Sequence, residues 1–147
     1  MKKIISKQLG ELLIESKMIA PHHLEEALKL QKEKGGLIGE ILVGLGHTTE
    51  EAIALALTTQ YGLPYLSLSG YEIDPEIAKV IPEDMARRNQ AIAIDMIGPI
   101  LTIAMANPLN AKAIEEVELI TGLKTQIFVA TASDVKQTID RSYKSSP

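Results

Sequence analysis

Residues 9–19, LGELLIESKMI, and residues 38–48, IGEILVGLGHT, are nearly one phrase written twice, 29 residues apart. Extended over Gln8–Gln31 and Leu37–Gln60, the two copies are identical at six of 24 positions: Gly10/Gly39, Glu11/Glu40, Leu13/Leu42, Ala27/Ala56, Leu28/Leu57 and Gln31/Gln60. In each copy the apolar residues recur three, four and seven apart, which places them on one face of a helix. Leu9, Leu12 and Leu13, then Leu24, Leu28 and Gln31, are answered by Ile38, Ile41 and Leu42, then Ile53, Leu57 and Gln60. Each copy therefore reads as a short helix, a turn and a longer helix. The punctuation agrees: Pro21 suits a first helical turn, Thr48–Glu51 (TTEE) reads as a capping box, and Gly46 suits the left-handed residue that closes a helix.

Beyond Tyr61 the period changes. LPYLSL (63–68) reads as a strand, and residues 75–90 as helical turns restarted at Pro82. AIAIDMIGPILTIAMA (91–106) reads as two strands around a Gly98-Pro99 turn. NAKAIEEVELITG (110–122) is an amphipathic helix closed by Gly122, KTQIFVAT (124–131) is a strand, and 133–143 is a helix capped by Ser133. The expected fold is α+β. A four-helix unit of two tandem helical hairpins (1–61) leads into a small mixed α/β sheet unit (62–143), and 144–147 begin a linker or tail.

Composition bounds the function classes. The 147 residues are 46% hydrophobic, enough for a sizeable core. The net charge of -4 gives no bulk attraction to nucleic acid. With four Tyr, one Phe and no Trp, stacking platforms for single strands are scarce. Charge is uneven: residues 1–36 carry seven Lys against five Glu, a balance of +2, and the remainder carries -6. No Cys is present, so there is neither a disulfide framework nor a thiolate nucleophile, and the cytoplasm is the expected compartment. No stretch approaches the roughly 20 apolar residues that span a bilayer, so any membrane association would run through partners.

Enzyme signatures are missing. GLGHTT at Gly44 lacks the Gly-Lys-Ser/Thr ending of a phosphate loop, and GGLIG at Gly35 lacks the glycines and preceding strand of a dinucleotide fingerprint. His22 and Glu26 lie one helical turn apart, but two ligands make no metal site. No catalytic residue, metal or cofactor is expected.

The tandem of 24-residue motifs with a five-residue spacer resembles the MshEN domain family, found at the N-terminus of ATPases that drive type II secretion and type IV pilus extension. GLPYLSL (62–68), TIAMANP (102–108) and FVATASDVKQTIDRSY (128–143) are similar to the rest of that region. The resemblance implies a regulatory domain that binds cyclic di-GMP, one motif for each half of the ligand. It also implies two protein partners: an ATPase domain in cis or trans, and an inner-membrane platform protein. The ligand positions it points to are Gln8, Leu9, Gly10, Leu24, Leu28, Gln31, Leu37, Ile38, Gly39, Ile53, Leu57 and Gln60. Gly10 and Gly39 would let backbone N–H groups approach a phosphate. The apolar positions would lie against guanine, and the glutamines would read base edges. Matched glycines and glutamines should then open onto a common groove.

Three positions depart from the family pattern. Gln8 stands where Arg usually opens the first motif, Leu37 where a charged or polar residue opens the second, and Lys17 where a glycine ends the first helix. A second reading therefore remains: a protein–protein docking adaptor between ATPase and platform, with nucleotide binding weak or lost. The apolar stripe serves either reading, since the same leucines would pack the core of any helical bundle.

Overall fold

The structure is a computed structural model that describes residues 9–143. Gln8 and the tail 144–147 lie outside the described residues. The chain forms α1 (Leu9–Glu15), α2 (Pro21–Lys34), α3 (Ile38–Gly44) and α4 (Glu50–Tyr61), the two expected helical pairs. Then follow α5 (Pro75–Ala78), α6 (Glu83–Asn89), β1 (Ala91–Ile97), β2 (Ile100–Met105), α7 (Ala111–Thr121), β3 (Lys124–Val129) and α8 (Ala132–Ser142). The sheet order is β1-β2-β3, with β1 antiparallel and β3 parallel to β2, so the fold is α+β with a mixed sheet.

The sequence repeat is also a repeat of hydrogen bonds. At the end of α1, Lys17 N–H donates to Ile14 O (3.0 Å) and Met18 N–H to Leu13 O (2.9 Å); at the end of α3, Gly46 N–H donates to Val43 O and His47 N–H to Leu42 O, both 3.0 Å. The closing residues are both left-handed, Lys17 at φ 62° and Gly46 at φ 82°. The turn that glycine forms at no steric cost in the second copy is thus forced on a lysine in the first.

Two apolar clusters hold the chain. Leu12, Leu13, Leu42 and Leu57 center the helical one, which also takes in Leu109 and Val129 from the second half. Ile92, Leu101, Ile103, Met105, Val135 and Ile139 center the other, between the sheet and α8. Alternation along β2 explains its inward face: Leu101 and Ile103 are fully buried while Ile100 stays exposed. The hydroxyl of Tyr143 lies 2.8 Å from Ala78 O and 2.5 Å from Ile81 O, pinning the end of α8 to the α5 region. Burial pushes its pKa up to about 12.

Three local expectations are corrected. Residues 63–68 form no strand: Pro64 O accepts from Val129 N–H and Leu66 N–H donates to Val129 O, giving one parallel bridge at Tyr65. Pro64 has no N–H to extend the ladder, and Ser69-Gly70 turns the chain away. The cap of α4 is Thr49, whose hydroxyl accepts from Ala52 N–H at 3.1 Å, so the reading of Thr48 and Glu51 as a box is one residue out of register. The cap of α8 is Thr131 rather than Ser133, because the Thr131 hydroxyl, two residues earlier, accepts from Asp134 N–H at 3.2 Å.

Candidate ligand-binding site

A cavity of about 310 Å³ lies at the seam between the helical repeat and the α/β half. From the repeat it is lined by Leu9, Leu37, Gly39, Glu40, Val43, Gly44, Glu50, Ile53 and Ala54. The α/β half adds polar groups, chiefly Gln90, Asn107, Ser133 and Lys136. Local sequence accounts for each wall. Leu37 is the extended residue before α3, Gly39 lies in the first turn of α3, and Glu50 and Ile53 lie in the first turn of α4. Gln90 closes α6 in a left-handed conformation at φ 48°, uncommon for a residue with a side chain.

One contact locks the seam. Ser133 N–H donates to Glu50 Oε1 at 2.8 Å, and the Ser133 hydroxyl donates to Glu50 Oε2 at 2.6 Å. The carboxylate of one unit thus meets the first turn of α8 in the other, where an anion is electrostatically favored. Ser133, displaced from the capping role by Thr131, serves this contact instead.

The cavity gathers four of the sequence-derived positions: Leu9, Leu37, Gly39 and Ile53. Two others, Leu28 and Gln31, line a separate, open groove along α2 with His22, Glu25, Glu26, Lys29 and Lys32. There the Gln31 amide donates to Gly36 O at 3.0 Å. Gly10 is buried under Leu24: a Cβ at residue 10 would lie 2.9 Å from Leu24 Cδ2 and nearer still to Cδ1. Its missing side chain admits helix packing, and Leu24 fills the space. Ile38 packs half-buried against the helical core, and Leu57 is fully buried within it. Gln60 is exposed at the end of α4 and lines neither cavity nor groove. The matched glycines and glutamines therefore do not open onto one groove, because α4 is sunk into the core while α2 gives it only Ala27 and part of Leu24.

Sequence reasoning missed Glu40, Glu50, Gln90, Asn107, Ser133 and Lys136. Glu40 was within reach, as one of the six identities between copies. The pairing of Glu50 with Ser133 joins residues 83 apart and has no periodic signal. His22 and Glu26 form no pair; Glu26 Oε1 is 2.8 Å from His47 Nε2 instead. Among the described residues no group of three His, Cys, Asp or Glu is placed to hold a metal ion, and no helix is long and apolar enough to cross a membrane.

Comparison with known proteins adds a second line of observation. The MshEN domain model matches residues 61–147. The type IV pilus assembly ATPase PilB of Myxococcus xanthus is 31% identical over 139 residues, covering 95% of this chain and therefore the repeat as well. The match takes in 25% of PilB, so the chain spans about a quarter of that relative's length. The structure of MshE with cdg, the abbreviation for cyclic di-GMP, is 32% identical with a TM-score of 0.68, covering 93% of this chain and 99% of that one. The N-terminal domain of XpsE, at 20% identity and a TM-score of 0.72, covers 93% of this chain and 94% of its own, and shows the same fold. The family model covers more than half of the chain, including the mixed sheet: the chain belongs to the MshEN domain family.

Proposed function

We propose that this chain is a non-catalytic regulatory domain that binds cyclic di-GMP and serves a type IV pilus or type II secretion ATPase. The observation that carries this reading is the likeness, over nearly the whole of both chains, to MshE with its cyclic di-GMP. The geometry supports it with a seam cavity whose volume lies at the small end of the ligand-pocket range, apolar on one side and hydrogen-bonding on the other. Glu40 and Glu50 from the repeat, against the single cation of Lys136 from the α/β half, make the lining rich in acceptors, suited to the N–H edge of guanine more than to a phosphate. One half of the ligand enters the cavity past Leu37, Gly39 and Ile53. The other half follows the first copy, where Leu28, Gln31 and the cations of Lys29 and Lys32 lie together. The division of the chain at Tyr61/Gly62 into a sensing unit and an α/β unit is supported by the two apolar clusters, the helical one reaching across to Leu109 and Val129 and the Glu50–Ser133 contact adding a polar link.

Titration calorimetry with cyclic di-GMP tests the proposal. The expected result is micromolar binding of one ligand per chain, with Gln31→Ala weakening it about tenfold, the value of one lost hydrogen bond to a fixed partner, and Gln60→Ala, which lies outside both cavity and groove, leaving it unchanged. No heat at high ligand concentration would overturn it.

A second reading, docking to an inner-membrane platform protein, is favored by exposed apolar residues at one end of the sheet. Leu119 is 86% exposed at the end of α7 and Ile97 is 70% exposed at the β1–β2 turn. Lys124 N–H donates to Pro99 O at 2.9 Å, which brings the start of β3, just after α7, to the same turn. Substituting Leu119→Lys and Ile97→Lys should abolish co-purification with that protein and leave nucleotide binding intact; unchanged co-purification would remove this reading.

A further inference from the structure

Three imidazoles and one carboxylate meet where the two repeat copies touch, outside the seam cavity. The ring of His23, in the first turn of α2, stacks on that of His47, with centroids 4.0 Å apart and planes 16° from parallel. His22 lies against the other neighbor, its centroid 4.3 Å from that of His23. His47 follows the left-handed Gly46 that closes α3, and its Nε2 is 2.8 Å from Glu26 Oε1 on α2. The remaining contact fixes a proton: Ala20 N–H donates to His23 Nδ1 at 3.0 Å, so that nitrogen carries no hydrogen and the ring is neutral.

We propose that His23 and His47 form a pH-sensitive clasp between the two repeat copies, closed while His23 is neutral and released when it takes up a proton. Protonation puts a hydrogen on Nδ1, which then faces the Ala20 N–H and can no longer accept from it. The same proton places a cation against the ring of His47. The groups whose charge acts on His23 are His47 from the α3–α4 turn and His22 and Glu26 from α2. Desolvation first, then His47 and His22, lower its pKa from the ordinary 6.5, and Glu26 opposes them. A lowered pKa in the folded state means that the clasp contributes fully above the unfolded value and is lost as pH falls through the folded one. Beside the clasp, α2 is held by its one buried residue, Ala27, by Leu24 packed over Gly10, and by the Gln31 amide on Gly36 O at its far end. Acidification therefore loosens the helix that carries His22, Glu26, Leu28 and Gln31, the lining of the outer groove.

Hydrogen exchange of the Ala20 and α2 amides in the full chain, compared between about pH 7.5 and about pH 5.5 after correction for intrinsic chemistry, reads the clasp directly. Protection in the unaltered chain is expected to fall about fivefold on acidification, the scale of one lost helix cap. His23→Gln keeps an acceptor at the third helical position and cannot titrate, so its protection should be the same at both values. A flat profile in the unaltered chain, or an equal fall in His23→Gln, would overturn the proposal. Should His23→Gln not fold, the 15N resonances of the unaltered His23 ring decide: a hydrogen-free Nδ1 at neutral pH that gains its proton on acidification supports the clasp, and a protonated Nδ1 at neutral pH contradicts it.

Discussion

The two copies of the repeat share their register and the hydrogen-bonded turns that end their first helices, yet they occupy different environments. In the second copy, α4 buries Ile53, Ala54, Ala56 and Leu57 and packs beside β3. In the first, α2 buries only Ala27, and Leu28, the counterpart of Leu57, is 46% exposed. The caps divide one device between them. Copy two uses the forward half, Thr49 accepting from Ala52 N–H, while copy one uses the return half, His23 accepting from Ala20 N–H, at positions 29 residues apart. Duplication thus fixed the backbone path, and the α/β half decided which copy became core.

The largest test of this difference is a pair of truncations. Leu57→Ala should cost about 2–5 kcal/mol by urea unfolding, as a fully buried leucine does, and Leu28→Ala about 0.5 kcal/mol or less. Equal costs would place both helices in the core. Next come the glycines: Gly10→Ala drives a Cβ into Leu24 and should cost about 1–3 kcal/mol, whereas at Gly39 the nearest atom is Leu9 Cδ2 at 3.3 Å and the cost should be smaller. A larger loss at Gly39 would reverse the account of which copy is closed. Lys17→Gly should raise stability by about 1 kcal/mol, and Gly46→Lys should lower it by a similar amount, since both positions are left-handed. Thr49→Ala should cost about 1 kcal/mol at any pH from 5 to 8, because a hydroxyl cap does not titrate there. A pH-dependent loss at Thr49 would merge the two caps that the structure keeps apart.

How much of this was legible in the sequence follows from the range of each interaction. Helix periodicity, the Gly98-Pro99 turn and the left-handed position at Lys17 are set within a few residues, and they read correctly. Caps were found but placed one or two residues off at Thr48 and Ser133, because neighboring Ser and Thr offer the same hydroxyl and only backbone geometry selects one. The strand expected at 63–68 failed where Pro64 removed a donor that alternation alone does not register. The shared groove failed for a longer-range reason: identical stripes in α2 and α4 do not reveal which will meet Val129 and Leu109. The polar wall of the cavity, from Gln90, Asn107, Ser133 and Lys136, arrives from the other half of the chain and leaves no periodic trace in the repeat.

The central claim, that one cyclic di-GMP engages both copies, is tested most directly by following backbone amide resonances of the chain during titration with that nucleotide. The account predicts saturable shifts at Gly39 and Ile53 in the cavity and at Leu28 and Gln31 on α2, all with a single dissociation constant. Shifts confined to one copy, or none in either, would contradict it.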